Sequence, residues 1–278
     1  MKLRSPAKVN LYLEVLEKRP DGYHEIQTLM QRVDLFDEVE ICLGGRGIQL
    51  VCEGEAIPGK MENLACRAAR SFFEEFGIQG NLQIHLEKRI PVAAGLGGGS
   101  SNAATVLMGL NDLLRPGGDR EPLMALGAKI GADVPFFIFQ QPALARGIGE
   151  RLVAVSLPRS LWFLLLVPPF RISTAWAYAA YDRISHKKRE PLQIKDSYPE
   201  LVDLLPVLQN DLESAALPRH PQIARMKEKL IAGGAKGALM SGSGPVIFGI
   251  FASKKEAQET EKAIFLPAGW KTIITQGI

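Results

Sequence analysis

The segment Pro91-Val92-Ala93-Ala94-Gly95-Leu96-Gly97-Gly98-Gly99-Ser100-Ser101 concentrates four glycines and two serines in its last seven residues. An alternating strand is predicted before it, over 82–87, and an alanine-rich apolar helix directly after it, from Asn102. A helix N-terminus attracts anions through its unpaired N–H groups and the positive end of its dipole. Glycine lets a phosphate approach the backbone closely, and serine hydroxyls can add donors or a metal ligand. Residues 91–101, here named the glycine loop, are therefore predicted to bind phosphate.

Three better-known phosphate motifs fit this loop poorly. A Walker loop needs Gly-Lys-Ser/Thr, and the loop contains no lysine. A dinucleotide fingerprint needs G-x-G-x-x-G after a buried parallel strand, whereas the strand predicted here alternates. A protein-kinase loop needs HRD and DFG segments downstream, and the sequence has neither. A flexible glycine linker is the remaining alternative, but linkers do not lead straight into an apolar helix.

Composition restricts the classes of partner. The chain has 278 residues, enough for one large or two modest domains, and its net charge of +3 is too small to indicate nucleic acid. The three cysteines match no zinc or redox spacing, so we expect no disulfide framework and a cytoplasmic location. The N-terminus lacks the apolar region of a signal peptide, and the apolar run 161–167 is too short to span a bilayer. We therefore expect no membrane partner.

Two further segments contain residues of chemical interest. Apolar residues alternate with polar ones over 7–15, which predicts a half-buried strand whose polar face contains Lys8 and Asn10. A helix is predicted over about 121–130, and Asp133 follows it. Since Val134 precedes a proline, we expect extended chain there, with a strand over 136–139 that forms a hairpin with 143–145.

The remaining pattern favours an antiparallel α+β fold of two domains, 1–152 and 153–278. A charged, proline-containing surface loop is predicted over 186–198. Further helices are predicted near 63–76, 174–184, 199–209, 221–232 and 253–265, and further strands near 38–43, 47–52, 161–167, 236–240, 245–251 and 270–275.

Four motifs together resemble the GHMP kinases, a superfamily that includes galactokinase and homoserine, mevalonate and phosphomevalonate kinases. The glycine loop resembles the superfamily's signature. Ser5-Pro-Ala-Lys-Val-Asn-Leu11 with Arg19-Pro-Asp-Gly-Tyr-His24, Gly131-Ala-Asp-Val-Pro135 and Leu239-Met-Ser-Gly-Ser-Gly-Pro245 resemble one branch of it. The resemblance implies an N-terminal ribosomal-protein-S5-like α/β domain and a C-terminal ferredoxin-like α+β domain. It also implies an ATP-dependent kinase that phosphorylates the 2-hydroxyl of a cytidine diphosphate derivative of a branched polyol, in non-mevalonate isoprenoid precursor synthesis.

The resemblance also assigns the reacting groups. Asp133 would accept the proton of the acceptor hydroxyl or orient that hydroxyl, and Lys8 would lie beside both and counter the developing negative charge. Asn10 would bond the substrate hydroxyl or Asp133. Taken as bare residues, a strand lysine is usually solvated and an aspartate after a helix usually caps or turns.

Substrate and cofactor residues are implied in the same way. Tyr23 and Tyr178 would stack on the two faces of the cytosine ring and His24 would bond its edge, although Tyr178 could simply pack its helix. Asn63 and Lys88 would lie near the base or sugar of ATP, although they could be a helix cap and a surface charge. Magnesium is expected with ATP, and Ser101 is a possible ligand. The ATP-binding residues of the loop would be Pro91, Val92, Ala93, Ala94, Gly95, Leu96, Gly97, Gly98, Gly99, Ser100 and Ser101.

Several alternatives stay open. Another GHMP kinase, acting on homoserine, mevalonate or a sugar, would share the loop and differ at the acceptor pocket. A non-catalytic nucleotide-binding protein could retain the loop, although it would not need both Lys8 and Asp133. An NAD-type oxidoreductase is disfavoured by the spacing of the glycines. Ser241-Gly-Ser-Gly244 could lie near the site or be only a tight hairpin, and both monomer and weak homodimer are compatible with the sequence.

Overall fold

The first strand, β1, extends over Lys2–Lys18 and is buried on both faces in its central part. Its apolar residues Ala7, Val9 and Leu11 are fully buried, as the alternation predicts. The predicted polar face is buried as well, since Lys8 and Asn10 are each only 3% exposed. The expectation of a half-buried strand is therefore wrong, because buried polar residues with partners resemble solvent-facing ones in a sequence.

The computed structural model describes residues 1–55, 63–184 and 190–278, and the chain divides into two units. The first unit comprises Met1–Lys8, Leu35–Val92 and Gly97–Gln141, and the second comprises Val9–Asp34, Ala93–Leu96 and Pro142–Ile278. The predicted domain division after residue 152 stays a prediction. The strands are β1, β2 His24–Leu43, β3 Ile48–Gly54, β4 Leu82–Lys88, β5 Ala143–Gly147, β6 Arg151–Ala154, β7 Trp162–Val167, β8 Gln209–Asn210, β9 Gly237–Met240, β10 Ile247–Phe251 and β11 Lys271–Gln276.

The helices follow the predicted positions with two exceptions. They are α1 Leu64–Glu75, α2 Gly98–Leu114, α3 Glu121–Ile130, α4 Val134–Phe139, α5 Thr174–Tyr181, α6 Leu201–Leu204, α7 Glu213–Arg219, α8 Pro221–Ala232 and α9 Lys254–Ala263, with a 3₁₀ turn at Leu205–Val207. Helix α7 is not predicted from the sequence because it contains Pro218, and proline normally interrupts a helix. Helix α4 was predicted as a strand.

In the first unit, the strand before the glycine loop lies inside a mixed sheet. β4 is parallel to β3 and antiparallel to the end of β2, over Glu38–Leu43. Its side chains alternate between buried Leu82, Ile84 and Leu86 and more exposed polar residues, as predicted. Helix α1 packs against α2 and α3, and α2 packs against α4. The glycine loop thus connects the end of a sheet strand to a helix in the centre of the helical layer.

Residues Val134–Phe139 form helix α4, so the predicted strand and its hairpin with 143–145 are wrong. Pro135 lies in the first turn of this helix, where its missing N–H removes no helical hydrogen bond. A short apolar run has no periodicity that separates a buried helix from a buried strand. The strand β5 does form, but it pairs with β2 and β6.

In the second unit, a four-stranded antiparallel sheet has the order β11-β7-β10-β9. Numbered along the chain, these strands have the spatial order 4-1-3-2, with helices between the first and second and between the third and fourth. This β-α-β-β-α-β arrangement is the ferredoxin-like topology that the resemblance implies. Helices α8 and α9 pack on the sheet.

The first part of β2, from His24 to Asp37, is a strand that the sequence pattern does not predict. Polar residues there, including Thr28 and Gln31, are buried, so apolar and polar positions do not alternate cleanly. The predicted surface loop is described only from residue 190 onward, and its residues 186–189 lie outside the described part. Among the helices described, none has the length and apolar character needed to cross a membrane.

Candidate active site

The glycine loop has a backbone that most residues cannot adopt. Ala93, Gly95 and Gly97 have φ values of 53°, 79° and 70°. Gly97 is the N-cap of α2, and its carbonyl accepts the first helical hydrogen bond, from the N–H of Ser101 at 2.9 Å. The N–H groups of the first helical turn therefore have no partner within the helix. This geometry is suited to binding phosphate oxygens.

Close contacts explain why three of the loop positions are glycine. A Cβ on Gly97 would lie 2.9 Å from Cζ of Phe137 and 3.0 Å from Cγ of Lys8. A Cβ on Gly98 would lie 3.0 Å from the side chain of Ile90. In the second unit, a Cβ on Gly95 would lie only 2.0 Å from the carbonyl oxygen of Ser241. The loop is thus held tightly by its surroundings, which is not a property of a flexible linker.

The first unit brings Lys8 and Asp133 together. Nζ of Lys8 lies 3.6 Å from Oδ2 of Asp133, and the lysine side chain is 4% exposed whereas the aspartate side chain is 35% exposed. Asp133 is positioned as the residue before α4. Oγ of Ser100 lies 3.8 Å from where a Cβ on Gly131 would be, so the first turn of α2 is next to the turn that contains Asp133. An ammonium group, an accessible carboxylate and a helix N-terminus therefore belong to one site.

Lys88 lies in a buried network behind the glycine loop, so it is not a surface charge. Its Nζ donates to Oδ2 of Asp37 and to Oδ1 of Asn102, the latter at 3.3 Å. The Asp37 carboxylate also accepts from the N–H groups of Arg89 and Ile90 at 2.8 and 2.9 Å. A Cβ on Gly98 would lie 3.1 Å from Nζ of Lys88, so this ammonium group is beside the first turn of α2. The predicted contact of Lys88 with the ATP base or sugar stays a prediction.

The same network includes Ser101, the possible magnesium ligand of the sequence analysis. Ser101 is fully buried, and its hydroxyl accepts from the hydroxyl of Ser5 at 2.8 Å. The amide of Asn102 donates to Ser5 and Asp37, each at 2.9 Å. Ser100 is only partly buried and is the more accessible of the two loop hydroxyls. The role of Ser101 toward magnesium stays a prediction, and its observed contacts join β1 to α2.

Asn63 is a helix cap, which is the structural alternative to its predicted contact with ATP. Its side-chain oxygen accepts from the N–H of Ala65 at 2.9 Å and so caps α1. The neighbouring Leu64 would lie 3.5 Å from a Cβ on Gly99, which places the start of α1 near the glycine loop. Capping uses one oxygen and leaves the amide nitrogen for other contacts, so the predicted contact with ATP stays a prediction.

In the second unit, Asn10 is part of a buried polar cluster. Its amide donates to Oγ1 of Thr28 at 2.8 Å, and that hydroxyl donates to the carbonyl of Tyr12 at 2.6 Å. Its backbone N–H donates to Oγ of Ser241 at 3.3 Å, and the Ser241 hydroxyl donates to the carbonyl of Gly95 at 2.9 Å. The second glycine-serine turn therefore joins β1 to the glycine loop, so it is more than a hairpin.

Asn210 explains how that second turn is held. Its amide donates to the carbonyls of Met240 and Gly242 at 2.8 and 2.7 Å, and its oxygen accepts from the N–H of Leu212. The adjacent Asp211 accepts from the N–H of Val15 at 3.0 Å. These two residues fix the positions of the turn and of β1.

The residues predicted to recognise a base differ in how exposed their side chains are. Tyr23 is 59% exposed and follows the tight turn from Arg19, whose N–H donates to the Tyr23 carbonyl at 2.7 Å. His24 is buried, and its ring stacks on that of Tyr178 with centroids 4.9 Å apart and planes 24° apart. Nε2 of His24 lies 2.6 Å from Oδ1 of Asp182. The structure thus brings His24 and Tyr178 together, with one face of the Tyr178 ring against histidine.

Several residues of the site have no distinctive signal in the sequence. Asp37 and Asn102 occur in ordinary strand and helix contexts, and Thr28 lies in the unpredicted part of β2. Asp182 follows the end of α5, where a carboxylate is unfavourable to the helix dipole, and this unusual placement is the one signal that the sequence offered.

Known proteins resemble this chain over almost its whole length. The family model of the GHMP kinases N terminal domain matches residues 63–141, and that of the GHMP kinases C terminal domain matches residues 194–266. A protein of Geobacter metallireducens named 4-diphosphocytidyl-2-C-methyl-D-erythritol kinase is 44% identical over 277 residues, which are 99% of this chain and 98% of that protein. A protein of the same name from Geobacter sp. (strain M21) is 47% identical over 272 residues, with 97% and 96% coverage.

Solved structures give the same picture. A crystal structure of 4-(cytidine 5'-diphospho)-2C-methyl-D-erythritol kinase superposes with a TM-score of 0.81 and 36% identity, covering 100% of this chain and 99% of the other. The homoserine kinase from Cytophaga hutchinsonii superposes with a TM-score of 0.74 at 20% identity, with 100% and 95% coverage. At that identity the second similarity concerns the fold alone.

Proposed function

Because this chain belongs to the GHMP kinase family, we propose that it transfers the γ-phosphate of ATP to the 2-hydroxyl of 4-(cytidine 5'-diphospho)-2-C-methyl-D-erythritol. This activity belongs to the non-mevalonate route to isoprenoid precursors. The two-domain α+β fold expected from the sequence is confirmed, and so is the family resemblance. The observation that carries the proposal is the Lys8–Asp133 pair, which lies beside the helix N-terminus of the glycine loop.

The reaction needs positioning and charge neutralisation more than covalent chemistry. The glycine loop and the first turn of α2 hold the phosphates of ATP through backbone N–H groups. The acceptor hydroxyl attacks the γ-phosphorus and its proton passes to Asp133, while the bond to the β-phosphate oxygen breaks and ADP leaves. Lys8, removed from water on β1, stabilises the negative charge on the attacking oxygen.

ATP would be used as its Mg²⁺ complex, and the ion would neutralise part of the phosphate charge. Among the described residues there is no group of three or more His, Cys, Asp or Glu side chains that could hold a metal ion. An ion that accompanies ATP would be held mainly by phosphate oxygens and water, with one or two protein oxygens. The partly buried hydroxyl of Ser100, in the first turn of α2, is an oxygen donor that would fit such a role.

Recognition of the cytidine belongs to the second unit. Tyr178 and Tyr23 supply aromatic faces for the pyrimidine, and His24 supplies hydrogen-bonding groups. Asn10, held by Thr28, supplies an amide to the polyol. The cytoplasmic location and the monomeric or dimeric state stay predictions.

A coupled assay of ADP formation tests the proposal. The purified protein is supplied with Mg²⁺-ATP and, separately, with 4-(cytidine 5'-diphospho)-2-C-methyl-D-erythritol, homoserine, mevalonate and galactose. We expect turnover with the cytidine diphosphate substrate alone, and ³¹P spectroscopy of the product should give a new phosphomonoester signal. Comparable turnover with any of the other acceptors would assign a different GHMP kinase activity, and ATP binding without turnover on any acceptor would exclude catalysis.

A further inference from the structure

Asp182 has an unusual position for a carboxylate. It is the C-cap residue of α5, one helical turn beyond Tyr178, where the helix dipole disfavours negative charge. Two groups offset this cost: Nζ of Lys18 lies 2.6 Å from one carboxylate oxygen, and Nε2 of His24 lies 2.6 Å from the other. The carboxylate therefore links Lys18 and His24, at the end of β1 and the start of β2, to the distant helix α5 that contains Tyr178.

The His24 ring is fixed both at an edge and on a face. Its edge is held by Asp182, and its face lies on the Tyr178 ring at a centroid distance of 4.9 Å. Its side chain is only 7% exposed. A ring held in this way has little freedom to rotate, and both contacts come from positions four residues apart on α5.

The bond to Asp182 also selects the protonation site on His24. An ionised carboxylate can only accept, so Nε2 must have the proton. The hydrogen bond from Lys18 is the main cause that lowers the pKa of Asp182, and the His24 contacts lower it further against the effect of partial burial. In the neutral ring, Nδ1 is then an acceptor.

We propose that Asp182, supported by Lys18, is a positioning residue for cytidine recognition, which holds His24 as the Nε2–H tautomer and flat against Tyr178. This inference rests on the proposed function, since His24 and Tyr178 are assigned to the cytosine ring there. Asp182 acts through His24 and does not itself contact the substrate. Without it, the His24 ring would have to be ordered during binding, and the cost of ordering would appear as weaker binding of the cytidine substrate.

Steady-state kinetics of Asp182→Ala test this role. We expect the KM for the cytidine diphosphate substrate to rise about tenfold, because a charge-assisted hydrogen bond is lost, while kcat and the KM for ATP stay within about twofold of the wild-type values. Asp182→Glu should recover most of the loss. Glu259→Ala is the matched control, because Glu259 is an exposed carboxylate of the same unit in an ion pair with Lys255. An unchanged KM, or equal losses in kcat and in both KM values, would overturn the proposal.

The tautomer is measured without any substrate. The chain has four histidines, so a ¹⁵N-histidine spectrum is simple, and the His24→Gln spectrum identifies the signals of His24. At pH 8 we expect a protonated Nε2 and an unprotonated Nδ1 in the wild-type protein, and averaged signals in Asp182→Ala. A protonated Nδ1 in the wild type would refute the assignment. If the wild type does not use the cytidine substrate, the proposed function fails; if it does and Asp182→Ala is unaffected, only this inference fails.

Discussion

The ammonium nitrogen of Lys8 lies 3.6 Å from a carboxylate oxygen of Asp133, and the two side chains differ in exposure, at 4% and 35%. A lysine so far removed from water needs a nearby negative charge. The aspartate side chain, in contrast, is accessible from solvent. The pair therefore combines a buried ammonium group with an accessible carboxylate, although its members are 125 positions apart in the chain.

Asp133→Ala is expected to reduce turnover by about 10³-fold or more, because general-base and orienting groups typically contribute 10²–10⁴-fold. ATP binding should be nearly unchanged, since the proposed nucleotide contacts belong to the glycine loop and α2. Turnover is measured by the coupled assay and ATP affinity by calorimetry. Glu121→Ala, which removes an exposed carboxylate from the first turn of α3, should leave both unchanged. Turnover of Asp133→Ala at the wild-type rate would exclude the assignment.

Alanine at Gly97 and at Gly99 should have opposite consequences for stability. At Gly97 the φ of 70° and the contacts with Phe137 and Lys8 oppose a Cβ, so we expect a loss of about 1–3 kcal/mol in the free energy of unfolding. At Gly99 the added Cβ would make only an ordinary 3.5 Å contact with Leu64 inside a helix, so the change should be about zero or slightly stabilising. Urea denaturation compares the two, and equal losses would contradict the described loop geometry.

Because Lys88 and Asp37 form a buried ion pair, substitutions of the two residues should have non-additive effects on the free energy of unfolding. Lys88→Met should reduce the free energy of unfolding by about 3–5 kcal/mol, because it leaves the fully buried carboxylate of Asp37 without its cation. Adding Asp37→Asn removes that charge, so the double variant should lose less than the sum of the single losses, with a coupling of about 1 kcal/mol or more.

The control for this cycle is an exposed pair. Lys129 and Glu75 form an ion pair at 3.4 Å with side chains 69% and 44% exposed, so Lys129→Met should cost less than about 1 kcal/mol. Additive effects of Lys88→Met and Asp37→Asn in urea denaturation would mean that the two charges do not depend on each other.

Stability should also depend on the protonation of His220. Its ring stacks on Phe170 at 4.7 Å and 7°, and partial burial, with a smaller effect of the neighbouring Arg219 charge, lowers its pKa below the ordinary value. The unfolded chain then binds the proton more readily than the folded one. The stability contributed by neutral His220 is complete above the unfolded pKa of about 6.5 and is lost as pH falls through the lower folded value.

The free energy of unfolding, measured at pH 8 and at pH 5.5, tests this dependence. The decrease between the two values should be smaller in His220→Gln than in the wild type. Loss of stacking on Phe170 affects the variant at both pH values, so the difference between them isolates the proton. An equal or larger decrease in the variant would contradict a lowered pKa of His220.

Much of the candidate site could be proposed from the sequence because its residues lie in short motifs. The glycine loop, Lys8, Asp133 and the His24 turn were all recognised in this way. Asp37, Asn102, Thr28 and Asp182 were not recognised, because the role of each depends on a contact with a residue elsewhere in the chain. Asp37 contacts Lys88, Asn102 contacts Ser5, Thr28 contacts Asn10, and Asp182 contacts Lys18 and His24. No local pattern encodes such pairs.

The sequence by itself determined the properties that depend on neighbouring residues. These are the glycine loop directly before a helix, the alternation in β4 and the start of α1 at Asn63, whereas the ferredoxin-like order of the last strands was implied by the family resemblance alone. Only the tertiary structure decided which polar residues are buried and what they bond, and whether 134–139 is a helix or a strand. The reason is that burial and pairing arise from contacts between distant segments, and these contacts placed Lys8 against Asp133, Lys88 behind the loop and Asp182 at the edge of His24.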